Sequence, residues 1–157
     1  MNPPYQLNCL SFEALSNTHL YQILRARQEV FIIEQDCNYL DCDGRDILSE
    51  HLWISENNEL AAYARLLPPG VAYEGSSIGR VLTTKPYRGK GLGKQLMEQA
   101  IQLLENQYPQ SAIYISAQQY LKKFYSDLGF VSTGITYLED DIPHVKMIRP
   151  AQPTEKK

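Results

Sequence analysis

The residues with the clearest chemical purpose lie between Val81 and Lys94, in the run Val-Leu-Thr-Thr-Lys-Pro-Tyr-Arg-Gly-Lys-Gly-Leu-Gly-Lys. A β-branched stretch ends in a loop that carries Gly89, Gly91 and Gly93, and a helical pattern begins inside it at Leu92. The first turn of a helix has unpaired N–H groups and the positive end of the helix dipole, so it attracts phosphate. Glycines let a backbone approach such an anion because no Cβ stands in the way. Arg88, Lys90 and Lys94 add positive charge around it. The three close glycines suggest phosphate held by the main-chain amides of residues 89 to 94, with Arg88 and Lys90 screening its charge.

Two common phosphate loops do not fit these residues. A P-loop needs GxxxxGK followed by Ser or Thr. Here Gly89 and Gly93 are too close together, and Gln95 follows Lys94. This disfavours an ATP- or GTP-binding protein. A dinucleotide fingerprint would need a glycine where Lys94 stands. What remains is Arg88-x-x-Gly91-x-Gly93, which resembles the coenzyme A pyrophosphate loop of the GNAT superfamily of N-acetyltransferases.

The resemblance extends beyond the loop. Val81, Leu82 and Thr83 lie at the spacing of the superfamily's bulged strand, whose backbone holds the acyl carbonyl and the pantetheine amides. Further on, a short apolar strand pattern over Ala112 to Ser116 precedes Phe124-Tyr125-x-x-x-Gly129-Phe130. Pro86 lies two residues before Arg88 rather than three, which departs from the pattern by one residue. Four further stretches resemble the ElaA-like branch: Arg27 to Gln35, Asp41-x-Asp43-Gly44, Ser116-Ala117-Gln118, and Tyr137 to His144. The resemblance implies an α/β fold with a mixed, mostly antiparallel sheet flanked by helices, and a splayed central strand pair. It implies acetyl-CoA as cosubstrate and direct transfer of acetyl to a primary amine, small-molecule or peptide-borne, and says little of the acceptor's identity. A non-catalytic acyl-CoA-binding sensor is the alternative. Such a module would keep Arg88 to Lys94 and have no need of Tyr125.

Transfer from a thioester to an amine requires a deprotonated amine, a stabilised oxyanion and a protonated leaving thiolate. By resemblance, Tyr125 is the residue that protonates the thiolate, and Gln118 is placed to bond the pantetheine arm. For the base three residues qualify: Glu34, His51 and His144. Histidine suits the step because its unperturbed pKa lies near neutrality. A water relay without a dedicated base is a further option. Asp41, Asp43 and Asp46, with Glu139, Asp140 and Asp141, form two acidic clusters. If they face the acceptor they would steer a cationic amine toward the site. No HxxxH or HExxH spacing supports a metal, and none is expected.

These residues need elements to hold them. Strand patterns cover Tyr5–Phe12, His51–Ser55, Leu60–Leu67, Ser77–Thr83, Ala112–Ser116, Phe130–Thr133 and Val145–Ile148. Glu56-Asn57-Asn58-Glu59, between the second and third of these, reads as a hairpin turn. Ser16 offers a helix cap before an apolar pattern at Leu20, Ile23, Leu24, Val30 and Phe31. Leu92, Leu96, Ala100, Leu103 and Leu104 mark one face of a long helix, and Leu121, Phe124, Tyr125 and Leu128 that of a shorter one. Asp36 to Asp46 reads as a solvated loop.

The whole suits one N-acyltransferase domain over residues 1–150, followed by a polar tail, 151–157, expected to be disordered. With 43% hydrophobic residues and 10% aromatic in 157, the chain can build a core. Fifteen Lys+Arg against 18 Asp+Glu argue against a nucleic-acid partner. No apolar run approaches membrane length, and the start has no signal-peptide pattern. Cys9, Cys37 and Cys42 lack CxxC spacing and read as reduced thiols, so a cytoplasmic location is expected. A homodimer is compatible with all of this.

Overall fold

The computed structural model describes residues 4–153. Seven strands form one sheet: β1 (Tyr5–Ser11), β2 (Glu50–Glu56), β3 (Glu59–Leu67), β4 (Ser76–Thr83), β5 (Ile113–Gln118), β6 (Val131–Glu139) and β7 (Ile142–Arg149). Their order is β1-β2-β3-β4-β5-β7-β6. Every neighbouring pair is antiparallel except β4 and β5. The expected tail carries no helix or strand over 151–153, and 154–157 lie outside the described residues. Among the described residues no helix is long and apolar enough to cross a membrane.

Turn chemistry sets two of the hairpins. Asn57 and Asn58, at φ 50° and 65°, join β2 to β3 in the left-handed conformations of a tight two-residue turn. Asp140 and Asp141, at φ 50° and 64°, do the same between β6 and β7. The second acidic cluster is therefore in part a hairpin tip, and both flanking strands run several residues further than the sequence pattern suggested.

The two faces of the sheet differ in chemistry. Leu52, Ala62, Leu66, Ile78, Ile113, Ile115, Val145 and Met147 belong to the larger core cluster. Helix α2 (Leu92–Gln107) covers that face with Leu92, Leu96, Met97, Ala100, Ile101 and Leu104, all buried. Each leucine so buried contributes roughly 1.5–3 kcal/mol. The opposite side chains along the strands are largely polar or aromatic: His51, Arg65, Ser77, Tyr114, Ser116, Gln118, His144 and Tyr137 follow one another across the ladders.

Helix α1 (Asn17–Arg27) covers part of this polar face, capped by Ser16, whose hydroxyl accepts from the His19 N–H at 3.0 Å. Its Ile23 and Ala26 pack with Trp53, Tyr63 and Leu82 in a second, smaller core. The chain continues from α1 into a π-helical segment, Gln28–Glu34, which the apolar spacing did not reveal. The wider turn ends in Glu34 at the rim of a cleft. Helix α3 (Lys122–Ser126) is shorter than expected, because residues Gln119–Leu121 form a 3₁₀ turn ahead of it.

Candidate active site

Strands β4 and β5 pair only at Ser76–Ile113 and Ser77–Tyr114, and then part. Beyond that point β4 is laddered to β3 alone, and β5 to β7 alone. The facing edges of Val81–Thr83 and Ile115–Gln118 keep main-chain groups with no strand between them. On its other side β4 is bulged, with two residues, Arg80 and Val81, set against the single Ala64 of β3. Arg80 takes the left-handed conformation, φ 51°, at the bulge. A glycine followed by a charged residue in a β-branched run is the sequence trace of this irregularity.

The gap between the strands opens into a cleft of about 690 Å³. Val81, Leu82, Thr83, Arg88, Gly93, Gln118 and Tyr125 line it, together with Glu34 and His144. The 3₁₀ turn Lys85–Tyr87 carries the chain from β4 to the glycine loop. Gly89 and Gly91 have φ 79° and 76°, and a Cβ on either would meet nothing within 4 Å. Gly91 is the N-cap of α2 and supplies no side-chain cap, so the amides of the first turn at Leu92, Gly93 and Lys94 are left for another acceptor. A Cβ on Gly93 would touch the Thr83 hydroxyl at 3.6 Å, which keeps the helix start close to the end of β4.

The basic side chains of the loop are differently placed. Arg88 donates from Nε to the Thr83 carbonyl at 2.9 Å and pairs through its guanidinium with Glu34 at 2.8 Å. Lys90 lies over the Tyr87 ring, 5.3 Å from its centroid, and Lys94 stands 4.0 Å from Glu98. Gln118 is the last residue of β5 rather than the first of a helix, and its amide donates to Gln35 Oε1 at 3.4 Å.

Tyr125 is 8% exposed and lines the cleft from α3. Phe124 and Phe130 hold its ring edge-on at 5.1 and 6.1 Å. Burial, aided by nearby Tyr120, pushes its phenol up to about 12, so it stays protonated in neutral solution.

The three base candidates separate. His51 is fully buried in the sheet, away from the cleft. Its Nε2 donates to the Asp46 carbonyl at 2.9 Å, so Nδ1 accepts from the Tyr63 hydroxyl at 2.7 Å. Burial lowers its pKa, and both ring nitrogens are occupied, so it is a neutral structural residue and not a base for the acceptor. Glu34 is at the cleft but engaged by Arg88. His144 is 6% exposed and lines the cleft. Its Nδ1 donates to the Ile142 carbonyl at 2.7 Å, which leaves Nε2 to take up a proton 3.2 Å from the Glu139 carboxylate. Tyr137 stacks on its ring at 6.1 Å, and the Tyr137 hydroxyl bonds that of Ser116.

The first acidic cluster is not a solvated loop. Asp41 accepts from Arg27 Nε at 2.7 Å and from Arg80 Nε at 2.8 Å. Asp46 accepts from Arg27 at 2.6 Å and from Arg65 at 3.0 Å. Asp43 takes both terminal nitrogens of Arg65, at 2.8 and 2.9 Å. Three arginines balance three aspartates, so this cluster steers no cation toward the site. Burial alone would raise the Asp46 carboxyl, but the Arg27 hydrogen bond and charge, and then those of Arg65, hold it below the ordinary range. The network fastens the 36–46 loop to the bulge of β4. Nothing in the spacing of Arg27, Arg65 and Arg80 announces it, because its partners meet only when strands and loop are folded. Among the described residues no group of three His, Cys, Asp or Glu side chains could hold a metal ion.

The acetyltransferase (GNAT) domain model matches residues 43–149. Over 142 residues the chain is 38% identical to protein ElaA of Escherichia coli, covering 89% of this chain and 93% of that one. A UPF0039 protein of Synechocystis is 43% identical over 138 residues, 87% of this chain and 90% of its own. Among solved structures, an acyl-CoA N-acyltransferase from Pseudomonas aeruginosa superposes with a TM-score of 0.88 at 41% identity, covering 92% of this chain and 99% of that one.

Proposed function

The chain belongs to the acetyltransferase (GNAT) domain family, and from that membership we propose that it moves an acetyl group from acetyl-CoA directly to a primary amine. The observation that carries this reading is the parting of β4 from β5 immediately before the glycine loop. A free strand edge and a helix start with unclaimed amides lie end to end, which suits a long ligand with amides at one end and a pyrophosphate at the other. The open space beside Gly89 and Gly91 fits such a ligand, since any side chain there would occupy it.

When bound, acetyl-CoA supplies the activated thioester. Val81 to Thr83 and the amides of residues 89 to 94 would hold the cosubstrate, with Gln118 beside its arm. Glu34 gives up Arg88 to the phosphates as they arrive, a charge-assisted exchange of one anion for another. His144 takes the amine proton on Nε2, with its tautomer set by Ile142 and the resulting cation stabilised by Glu139. A C–N bond forms as the C–S bond breaks. Tyr125 donates a hydrogen bond to the departing sulfur, and the proton that His144 took from the amine passes through solvent to that sulfur, so CoA leaves as the thiol.

Differential scanning fluorimetry with acetyl-CoA, CoA and ATP, followed by thiol release over an amine panel, tests the reading. Stabilisation by acetyl-CoA and CoA with thiol release supports it. Stabilisation without release for any amine makes the protein a sensor, and stabilisation by ATP alone overturns the assignment of the loop.

A further inference from the structure

At one end of the cleft lie polar atoms that the transfer step leaves without a role. Ser77 and Arg65 both line the cleft and are 3% and 2% exposed. The Ser77 hydroxyl and Arg65 Nε have no hydrogen-bond partner among the described residues. Buried donors are rarely left so, because the unmet group keeps its full desolvation cost. The register puts them on one face, two rungs apart: Arg65 faces Gly79 and Leu67 faces Ser77. Between them a Cβ on Gly79 would meet nothing within 4 Å, so the sheet surface between the two residues is open.

Two cations stand over this end. Arg45 lines the cleft and has no ion pair among the described residues. Lys146, also without one, sits 5.5 and 5.3 Å above the rings of Tyr73 and Tyr114. The aspartates that might have neutralised the region are spent on Arg27, Arg65 and Arg80. Glu139 and Asp140 also line the cleft, with His144, and Glu139 reaches the Ser116 hydroxyl at 3.5 Å on the rung where Ser116 faces Lys146. The acceptor region thus carries charges of both signs, with acids and a proton-accepting imidazole near cations and unmet donors.

We infer that the acceptor is a free amino acid, its ammonium set against Glu139, Asp140 and His144 and its carboxylate against Ser77, Arg65 and Arg45. This deepens the N-acetyltransferase reading and rests on it. A polyamine would drive a second ammonium against Arg45 and Lys146, and a simple alkylamine would leave the donors at Ser77 and Arg65 unmet. The product is the N-acetyl amino acid: the α-nitrogen, bound as the ammonium, gains the acetyl carbon and loses two protons, one to solvent and one that ends on the sulfur of CoA, which leaves as the thiol.

The test separates binding from turnover. The full-length protein, loaded with CoA, is titrated by calorimetry with the common amino acids, their α-amides, and putrescine or spermidine. The same compounds are assayed for thiol release from acetyl-CoA. At least one amino acid should bind roughly 10- to 100-fold more tightly than its amide, the range of a charge-assisted hydrogen bond. Arg45→Ala and Ser77→Ala should each narrow that gap while leaving the acetyl-CoA affinity unchanged, and Arg45→Lys should restore most of it. Amides that match their acids, a polyamine that binds best, or a gap indifferent to Arg45 and Ser77 overturns the inference. If thiol release is absent for every amine while the acid–amide gap is present, the acceptor site stands and the enzyme reading falls. If release occurs but favours neutral or cationic amines, the reverse holds.

Discussion

Replacing Tyr125 by phenylalanine isolates the step in which sulfur departs. The ring is held between Phe124 and Phe130, and the hydroxyl has no hydrogen-bond partner among the described residues. Tyr125→Phe should therefore fold normally, with a stability change within about 1 kcal/mol. The size of the kinetic effect follows from the environment of the phenol. Its pKa of about 12 stands above that of an ordinary thiol, about 8.5. Complete proton transfer to the thiolate is uphill by roughly 5 kcal/mol at 1.36 kcal/mol per unit. Hydrogen bonding to the developing negative charge, worth about 1.5–3 kcal/mol, sets the magnitude instead. The rate of the transfer step should fall by roughly 10- to 150-fold, with acetyl-CoA affinity unchanged. Single-turnover rapid quench measures that rate where product release cannot mask it, and calorimetry measures the affinity. The phenol stays protonated through pH 9, so wild-type rate should show no loss on the alkaline side from this group. A single-turnover rate within twofold of wild type, with unchanged melting and affinity, removes Tyr125 from the mechanism.

Three other outcomes are expected. Gly91→Val places a β-branched residue at φ 76° and a side chain in the space beside the helix start, and should weaken acetyl-CoA binding by about tenfold or more in calorimetry; unchanged affinity would move the phosphates elsewhere. Glu34→Gln frees a partly exposed Arg88, so acetyl-CoA should bind up to about fivefold more tightly, while kcat changes little. A loss of about 100-fold or more in kcat would make Glu34 the base in place of His144. Stability should also decline in acid in two stages. Burial depresses His51 in the folded state, so its contribution is fully present above the unfolded value of about 6.5 and is lost as pH falls toward the folded one, by up to about 1.4 kcal/mol per unit. Asp43 and Asp46, held low by their arginines, add a second loss below about pH 3.9. Urea midpoints between pH 7.5 and 5 should slope for the wild type and flatten for His51→Gln, and equal slopes would refute the assignment.

Local rules made much of this protein legible before folding. The glycine loop, the helix start at Leu92 and the apolar face of α2 depend on spacing within a few residues, which a linear reading contains. Asn57-Asn58 specifies its turn by the same logic, because few side chains tolerate two successive left-handed residues. Tyr125 and Gly129-Phe130 stood out through their spacing in a known family pattern. The charge balance of the site belongs to another level. Asp41, Asp43 and Asp46 looked like an exposed acidic loop because their partners lie on α1, β3 and β4, up to 39 residues away in sequence. Only the packed sheet brings Arg27, Arg65 and Arg80 to them, and that meeting spends the three carboxylates on arginines, so this cluster has no charge left to steer a cation. His51 and His144 are alike in sequence, each near the start of a strand. Their fates diverge because the structure sets β2 under the 36–46 loop and pairs β7 with the far edge of β5, so one imidazole is locked between two neutral partners while the other lines the cleft with Nε2 beside the Glu139 carboxylate.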